Sequence, residues 1–505
     1  MKIVLNKSSI STAVLYLVIS ILALAQIVQL SAQQTIQYTL NDVVEIAQKQ
    51  SPDALKAKHS YRHSYWSYRF FKATYLPNLE LGATMPNINR AIIPVSAQDG
   101  STNYTPQSLT SYEVNLSLNQ KIGFTGGEVF LSTGVSRMDN FSSDTTTTQY
   151  LANMVNIGIR QPIFNYNPYK WLKKIEPMKY EAAKRIVVEQ NEKIASTAVD
   201  YFFSLLIAQL ERKIAYKNQA NYDTLYKIAV GRYTLGKIAE NELLQLELNL
   251  LKSTSEVENS ELNYENRFFV FKSYLRLQDS LMVELIPPII TPDFAISPNR
   301  AIDEAKNNSS QGLDFKRRLL EAESEVNKAR TQGRFDAELY AVLGLTQTSD
   351  VLSGAYTNPL DEERVILGIS VPILDWGKAK GTIKMAESNQ DLERTAVEQD
   401  VIDFNQNVFI NVMEYNMQKN QMMIAAKSDT VAQKRFEVTQ KRYMIGKIND
   451  VLELRMAQVD NDNSKVGYYR ALMTYWRSYY EIRRLTLYDF HRDMPITYDI
   501  DALIE

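Results

Sequence analysis

Apolar residues recur along this chain at two spacings, every three to four positions in long tracts and every second position in shorter runs between them. Val43, Val44, Ala47 and Leu55 sit at helical spacing behind Thr39 and Asn41, either of which suits a helix start. That helix is expected to break near Ser51-Pro52 and to run on to about Tyr75, with Pro77 ending it. Alternation then takes over. Tyr112, Val114, Leu116 and Leu118 point one way, and Glu113, Asn115, Ser117 and Asn119 the other. Gly126-Gly127 turns the chain, and Val129, Leu131, Thr133 and Val135 resume the pattern. Val155, Ile157 and Ile159 mark a further strand. Leu339, Ala341, Leu343 and Leu345 mark another, and Val365, Leu367, Ile369 and Val371 one more. After each strand region comes a helical tract, 170–233 and 375–443, that turns at Gly236 or Gly446 into a second tract, 240–277 or 450–488. About sixty residues of helix extend roughly 90 Å. Tracts of that length reversing at a glycine predict antiparallel coiled-coil hairpins.

The pattern occurs twice. Arg232-Tyr233-Thr234-Leu235-Gly236-Lys237-Ile238 returns as Arg442-Tyr443-Met444-Ile445-Gly446-Lys447-Ile448, 210 positions later, and Gly158-Ile159 returns as Gly368-Ile369 at the same offset. Ahead of the strands the offset is 258, so the first copy holds 48 extra residues between Leu81 and Gly158. The expected organisation is a leader over 1–32 and a first helix–strand–hairpin repeat over 33–277, with strands at about 78–162 and the hairpin at about 168–277. A Pro-rich connector follows at 278–297. The second repeat covers 298–488, with strands at about 336–373 and the hairpin at about 375–488, and 489–505 is a tail.

The leader is read from Lys2 and Lys7, the apolar run from Ile10 to Leu30 and the small residues of Ser31-Ala32, the layout of a secretory signal peptide. No later stretch of about twenty residues is apolar enough for a membrane helix, so entry into a bilayer would have to be by strands. Ten-residue strands with one apolar face serve a membrane barrel or a half-buried soluble sheet equally. Thirty Tyr against 18 Phe and 4 Trp suit interfaces or water-lined walls. A formal charge of −2 argues against nucleic acid as a partner. With no cysteine, disulfides, thiolate metal sites and thiol nucleophiles are excluded.

Catalytic signatures are wanting. Gly231-x-x-x-x-Gly236-Lys237 resembles a phosphate loop, but Ile238 stands where a hydroxyl should hold magnesium and no strand precedes it. His59 and His63 have the spacing of a helical metal pair without a third ligand, and read as exposed helix residues. No enzyme, cofactor or metal is expected.

A leader, two helix–strand–strand–hairpin units and an Arg-Tyr-x-x-Gly turn in each hairpin together resemble the TolC-like outer-membrane efflux factors. The likeness covers about residues 35–488. It implies an α+β membrane protein: a homotrimer with a shared transmembrane β-barrel in outer-membrane lipid and a periplasmic α-barrel of long hairpins. It also implies a passive exit duct for a tripartite efflux or type I secretion system, working with a periplasmic adaptor and an inner-membrane transporter. By the same resemblance Tyr443 matches the tyrosine that narrows the tube, and Asp450 and Glu453 match its paired carboxylates, with Glu240 the first-copy equivalent. Asp450 equally suits the N-cap of the returning helix. Arg232, Tyr233, Gly236, Lys237, Arg442, Gly446 and Lys447 become candidates for adaptor docking. The family's arginine inside the turn has no clear match, Lys447 being the nearest. Family members contribute four strands per chain, so the 48 extra residues either widen the barrel or form a separate hairpin at Tyr112–Val135, and the separate hairpin is the expectation. A pore-less alternative, an envelope-spanning coiled-coil or adaptor protein, shares the hairpins but would carry one of them between compact β domains.

Overall fold

In a computed structural model the described residues are 35–96, 100–141, 145–278, 282–288, 291–292, 294–445 and 451–504, so the leader, Gly446, Lys447 and Asp450 lie outside them. The duplication reappears as matched element lengths. In the first copy α1 (Leu40–Gln50) has 11 residues, α2 (Pro52–Ala73) 22, α3 (Pro168–Thr234) 67 and α4 (Glu240–Leu275) 36. In the second α5 (Pro298–Asn308) has 11, α6 (Ser310–Gln332) 23, α7 (Lys378–Met444) 67 and α8 (Val451–Thr486) 36. At 1.5 Å per residue α3 and α7 are each about 100 Å long.

Local chemistry sets several boundaries. Thr39, rather than Asn41, caps α1: its hydroxyl accepts from the Asp42 N–H, and the Asp42 carboxylate accepts from the Thr39 N–H at 2.9 Å. The Thr39 hydroxyl, donating to the carboxylate at 2.7 Å, and the Thr39 N–H together hold the Asp42 carboxyl below its usual range. The chain breaks at Ser51-Pro52, where the Ser51 hydroxyl accepts from the Ala54 N–H at 3.1 Å and starts α2. In the connector, β6 (Met282–Ile286) pairs in parallel with β1 (Thr35–Thr39), joining the starts of the two copies.

The chain divides into two compact units. The first gathers the described residues up to Lys58, Val188–Ala305 and Val408–Tyr498. Its core is helical. Ala198, Val199, Phe202, Phe203 and Leu205 on α3 are fully buried, as are Val412 and Tyr415 on α7 and Leu472 and Tyr475 on α8. Burying one such side chain contributes about 1.5–3 kcal/mol. Within this core Glu192 is fully buried and receives Arg483 through two bonds, at 2.7 and 3.0 Å, and the Tyr498 hydroxyl at 2.8 Å. Arg483 also bonds Asp489. Burial pulls the Arg483 guanidinium's pKa down, but the bonds and charge of Glu192 outweigh it and the net shift is upward.

The second unit holds one six-stranded antiparallel sheet in sequence order: β2 (Asn78–Ser96), β3 (Thr102–Lys121), β4 (Glu128–Phe141), β5 (Thr146–Ile163), β7 (Asp336–Ser349) and β8 (Leu360–Ser370). This corrects the expectation of a separate hairpin. Every residue from Glu128 to Phe141 faces a β3 partner, and both strands also pair outward, β3 with β2 and β4 with β5.

A two-faced sheet and a shared hairpin end as candidate functional sites

The register sorts the sheet by face. Leu79, Leu118, Leu131, Ile157 and Leu343 are successive cross-strand partners and form one apolar row over five strands, which meets Glu363 on β8. The adjacent row, Glu80, Ser117, Ser132, Asn156, Gly344 and Glu362, crosses all six strands on the opposite face and is polar or small throughout. Leu79, Ile157 and Leu343 are exposed, so the apolar face is not covered by the chain itself. On the polar face two glycines make room for neighbours: a Cβ on Gly158 would lie 2.3 Å from the Phe130 ring, and one on Gly344 1.8 Å from Asn156 Oδ1. Phe130 stacks on Tyr340 at 6.0 Å, and Arg160 pairs with Glu338 at 3.5 Å.

The hairpin end of the first unit brings the two motif copies together. Gly236 takes φ +62° and its N–H bonds the Tyr233 carbonyl, while the Lys237 N–H reaches back to Arg232, both at 2.9 Å. This is the Schellman stop, and its left-handed residue is why the motif carries glycine. Arg232 then crosses to the other copy. Its Nη2 donates to the carbonyls of Tyr443 and Met444 at 3.3 and 3.1 Å, and its guanidinium lies 5.5 Å from the centre of the Tyr443 ring. An arginine from the first copy thus caps the negative C-terminus of the second copy's long helix. Tyr443 packs with Tyr222, Leu225, Ala229, Leu246, Phe436 and Leu454, so α3, α4, α7 and α8 share one small core here. Burial pushes the Tyr443 phenol up, with Arg232 pulling the other way.

The copies use opposite halves of the motif. Tyr443 is 2 % exposed and Tyr233 41 %. Arg442 is exposed where Arg232 is engaged. Tyr443 is therefore enclosed by its own chain rather than standing open, and Arg232 is the group above it. Glu240 is exposed in the first turn of α4, beside Glu242, where a carboxylate favours the positive helix end. Glu453 is half-buried in the first turn of α8. Gly236 and Lys237 are exposed, and Asp450, Gly446 and Lys447 lie outside the described residues. Sequence reasoning missed the apolar rim: Leu235 is 71 % exposed and Ile445 66 %, with Met444 and Leu452 also exposed. The signal was present in the variable positions of the motif, filled by Thr234-Leu235 in one copy and Met444-Ile445 in the other.

His63 lies in a groove of the second unit with Trp66, Phe70, Phe71 and Tyr75, an aromatic rather than a ligating setting. Among the described residues no group of three or more His, Cys, Asp or Glu is placed to hold a metal, and no helix is long and apolar enough to cross a membrane.

Residues 309–468 match the model of the family described as outer membrane efflux protein. No curated protein matches the sequence. Among solved structures, a membrane protein from Pseudomonas aeruginosa superposes with TM-score 0.63 at 14% identity, covering 88% of this chain and 93% of that one. The CmeC outer membrane channel of Campylobacter jejuni gives 0.62 at 16% identity, with 92% and 88% covered. The outer membrane protein VceC of Vibrio cholerae gives 0.63 at 12%, with 88% and 95% covered. The long paired helices, the strand-bearing repeats and the superpositions agree: the chain has the fold of these outer membrane channels, and residues 309–468 of its second copy match the outer membrane efflux protein family.

Proposed function

We propose that three copies of this chain form the exit duct of a tripartite efflux or type I secretion system, a passive conduit across the periplasm and the outer membrane. The observation that carries this reading is the sheet, apolar on one face and polar on the other, with β2 and β8 each paired on one side only among the described residues. Unpaired backbone groups in hydrocarbon cost several kcal/mol each, and single-chain membrane barrels begin at about eight strands. Six strands must therefore complete their edges with other copies. The apolar face would meet lipid and the polar face would line the passage.

The hairpin ends supply the other two roles. Glu240 and Glu453, with Asp450, would repeat around a threefold axis as rings of carboxylate that concentrate cations at a narrow mouth. Tyr443 acts from beneath, by holding Arg232. Exposed Tyr233, Leu235, Met444, Ile445 and Leu452, beside Lys237 and Arg442, form an apolar rim with positive charge, a composition suited to docking a protein adaptor. Gly236 closes the first of these turns, and by the resemblance Gly446 and Lys447 are kept as docking candidates. An inner-membrane transporter would drive the cargo, since the duct has no chemistry of its own.

Purification in detergent tests this. The reading expects a heat-dissociable particle of three chains that resists salt extraction from the outer membrane. A single chain released by salt would favour a pore-less adaptor instead.

A further inference from the structure

The first copy's extra residues sit inside the sheet, and that placement has a consequence for what the duct admits. β3 and β4 are flanked by β2 on one side and β5 on the other, and the β3–β4 register runs from Lys121↔Glu128 to Ser108↔Phe141 without a shift. The two strands also continue both faces of their neighbours. Leu118 and Leu131 extend the apolar row, and Ser117 and Ser132 the polar one. A hairpin standing in water would have no reason to keep an apolar face in line with the membrane strands. The number of strands matters as well. With six strands alternating in direction, β2 and β8 run oppositely, so β8 of one copy meets β2 of the next in antiparallel fashion around a closed ring.

We propose that the barrel therefore holds six strands from each of three copies, eighteen in all, and that it opens to a bore suited to bulky solutes such as polypeptides or oligosaccharides. This rests on the trimeric duct proposed above. Strands about 4.8 Å apart and tilted about 40° close at a backbone diameter near 36 Å for eighteen, against about 24 Å for twelve. The cross-section roughly doubles. The lining favours hydrated cargo: Asn115, Ser117, Ser132 and Asn156 lie on the polar face, with the carboxylates of Glu80 and Glu362 at its two ends.

Single-particle imaging in lipid nanodiscs tests the count directly, and the cysteine-free chain allows a second readout. Leu131→Cys and Ser132→Cys place neighbouring thiols on opposite faces of β4. The expected result is a threefold particle with eighteen strands, a Ser132→Cys thiol labelled by a charged maleimide, and a Leu131→Cys thiol shielded. Polyethylene glycols of about 20 Å diameter, added on the extracellular side, should enter the barrel and lower conductance. A threefold particle with twelve membrane strands, β3 and β4 in water, both thiols labelled alike and polymer excluded would overturn this inference while leaving the duct. A particle without threefold symmetry would remove the duct reading and this inference with it.

Discussion

Arg232 and Tyr443, 211 positions apart in the chain, meet face to cation: the guanidinium lies 5.5 Å from the ring centre and donates to the backbone carbonyls of Tyr443 and Met444. Each belongs to a different copy of the same motif, and the contact ties the two hairpins at their turns. Arg232→Ala should remove a helix-end charge and a cation–π contact, together worth about 1–2 kcal/mol. Hydrogen exchange in the last turn of α7 should rise, and so should channel conductance if the hairpin ends set the constriction. Arg442→Ala should change neither, and Arg232→Lys should restore only part, because an ammonium lacks the flat face and fork of guanidinium.

The glycine of the first turn is there for its backbone. A Cβ at Gly236 would meet nothing within 4 Å, so only the left-handed conformation resists substitution. Gly236→Ala should cost about 1 kcal/mol, and Gly236→Asn less. The dissociation temperature of the assembled protein reads this, and equal losses for both variants would mean the site is crowded instead.

Breaking the buried ion cluster should be far more damaging. Arg483→Ala leaves Glu192 fully buried without its main partner, a loss of about 3–5 kcal/mol by denaturant titration. Tyr498→Phe removes one hydroxyl from the same carboxylate and should cost about 1.5–3 kcal/mol.

Asp462 on α8 gives the hairpin a pH dependence. Burial pushes its carboxyl up, outweighing the bonds from Asn218 at 2.7 Å and Asn461 at 3.0 Å. A carboxyl that binds its proton more tightly when folded stabilises the fold on the acid side. That contribution is lost as pH rises from the ordinary carboxylate range through the raised value. Asp462→Asn should therefore raise stability at neutral pH and flatten the slope above the ordinary carboxylate range. Parallel melting curves of the two proteins would refute this.

On the sheet, Gly158→Ala should hinder assembly by driving a methyl into the Phe130 ring. Phe130→Leu in the same chain should recover it, because the obstruction is a side chain and not backbone. Yield of heat-dissociable oligomer distinguishes the two.

The architecture was legible because each period has a local cause. Alternation at Leu116, Leu118, Leu131 and Ile157 follows from the pleat of one strand, and the long helical tracts follow from spacing along one face. What alternation does not encode is which strand lies beside which. Placing β3–β4 inside the sheet depends on pairings with Leu81 and Ile157 that no periodicity records. The same limit hid the tip. The motif showed that Gly236 ends a helix, yet the burial of Tyr443 under Arg232 joins residues far apart in sequence. The resemblance placed Tyr443 at the narrowing of the tube, and the fold shows it enclosed within its own chain.

The central claim, a water-filled duct held narrow at its hairpin ends, is tested most directly by planar-bilayer recording of the purified assembly beside its Arg232→Ala variant. The account predicts small, cation-preferring single-channel steps from the native protein and larger steps from the variant. Correctly assembled protein that inserts and conducts in neither form would contradict it.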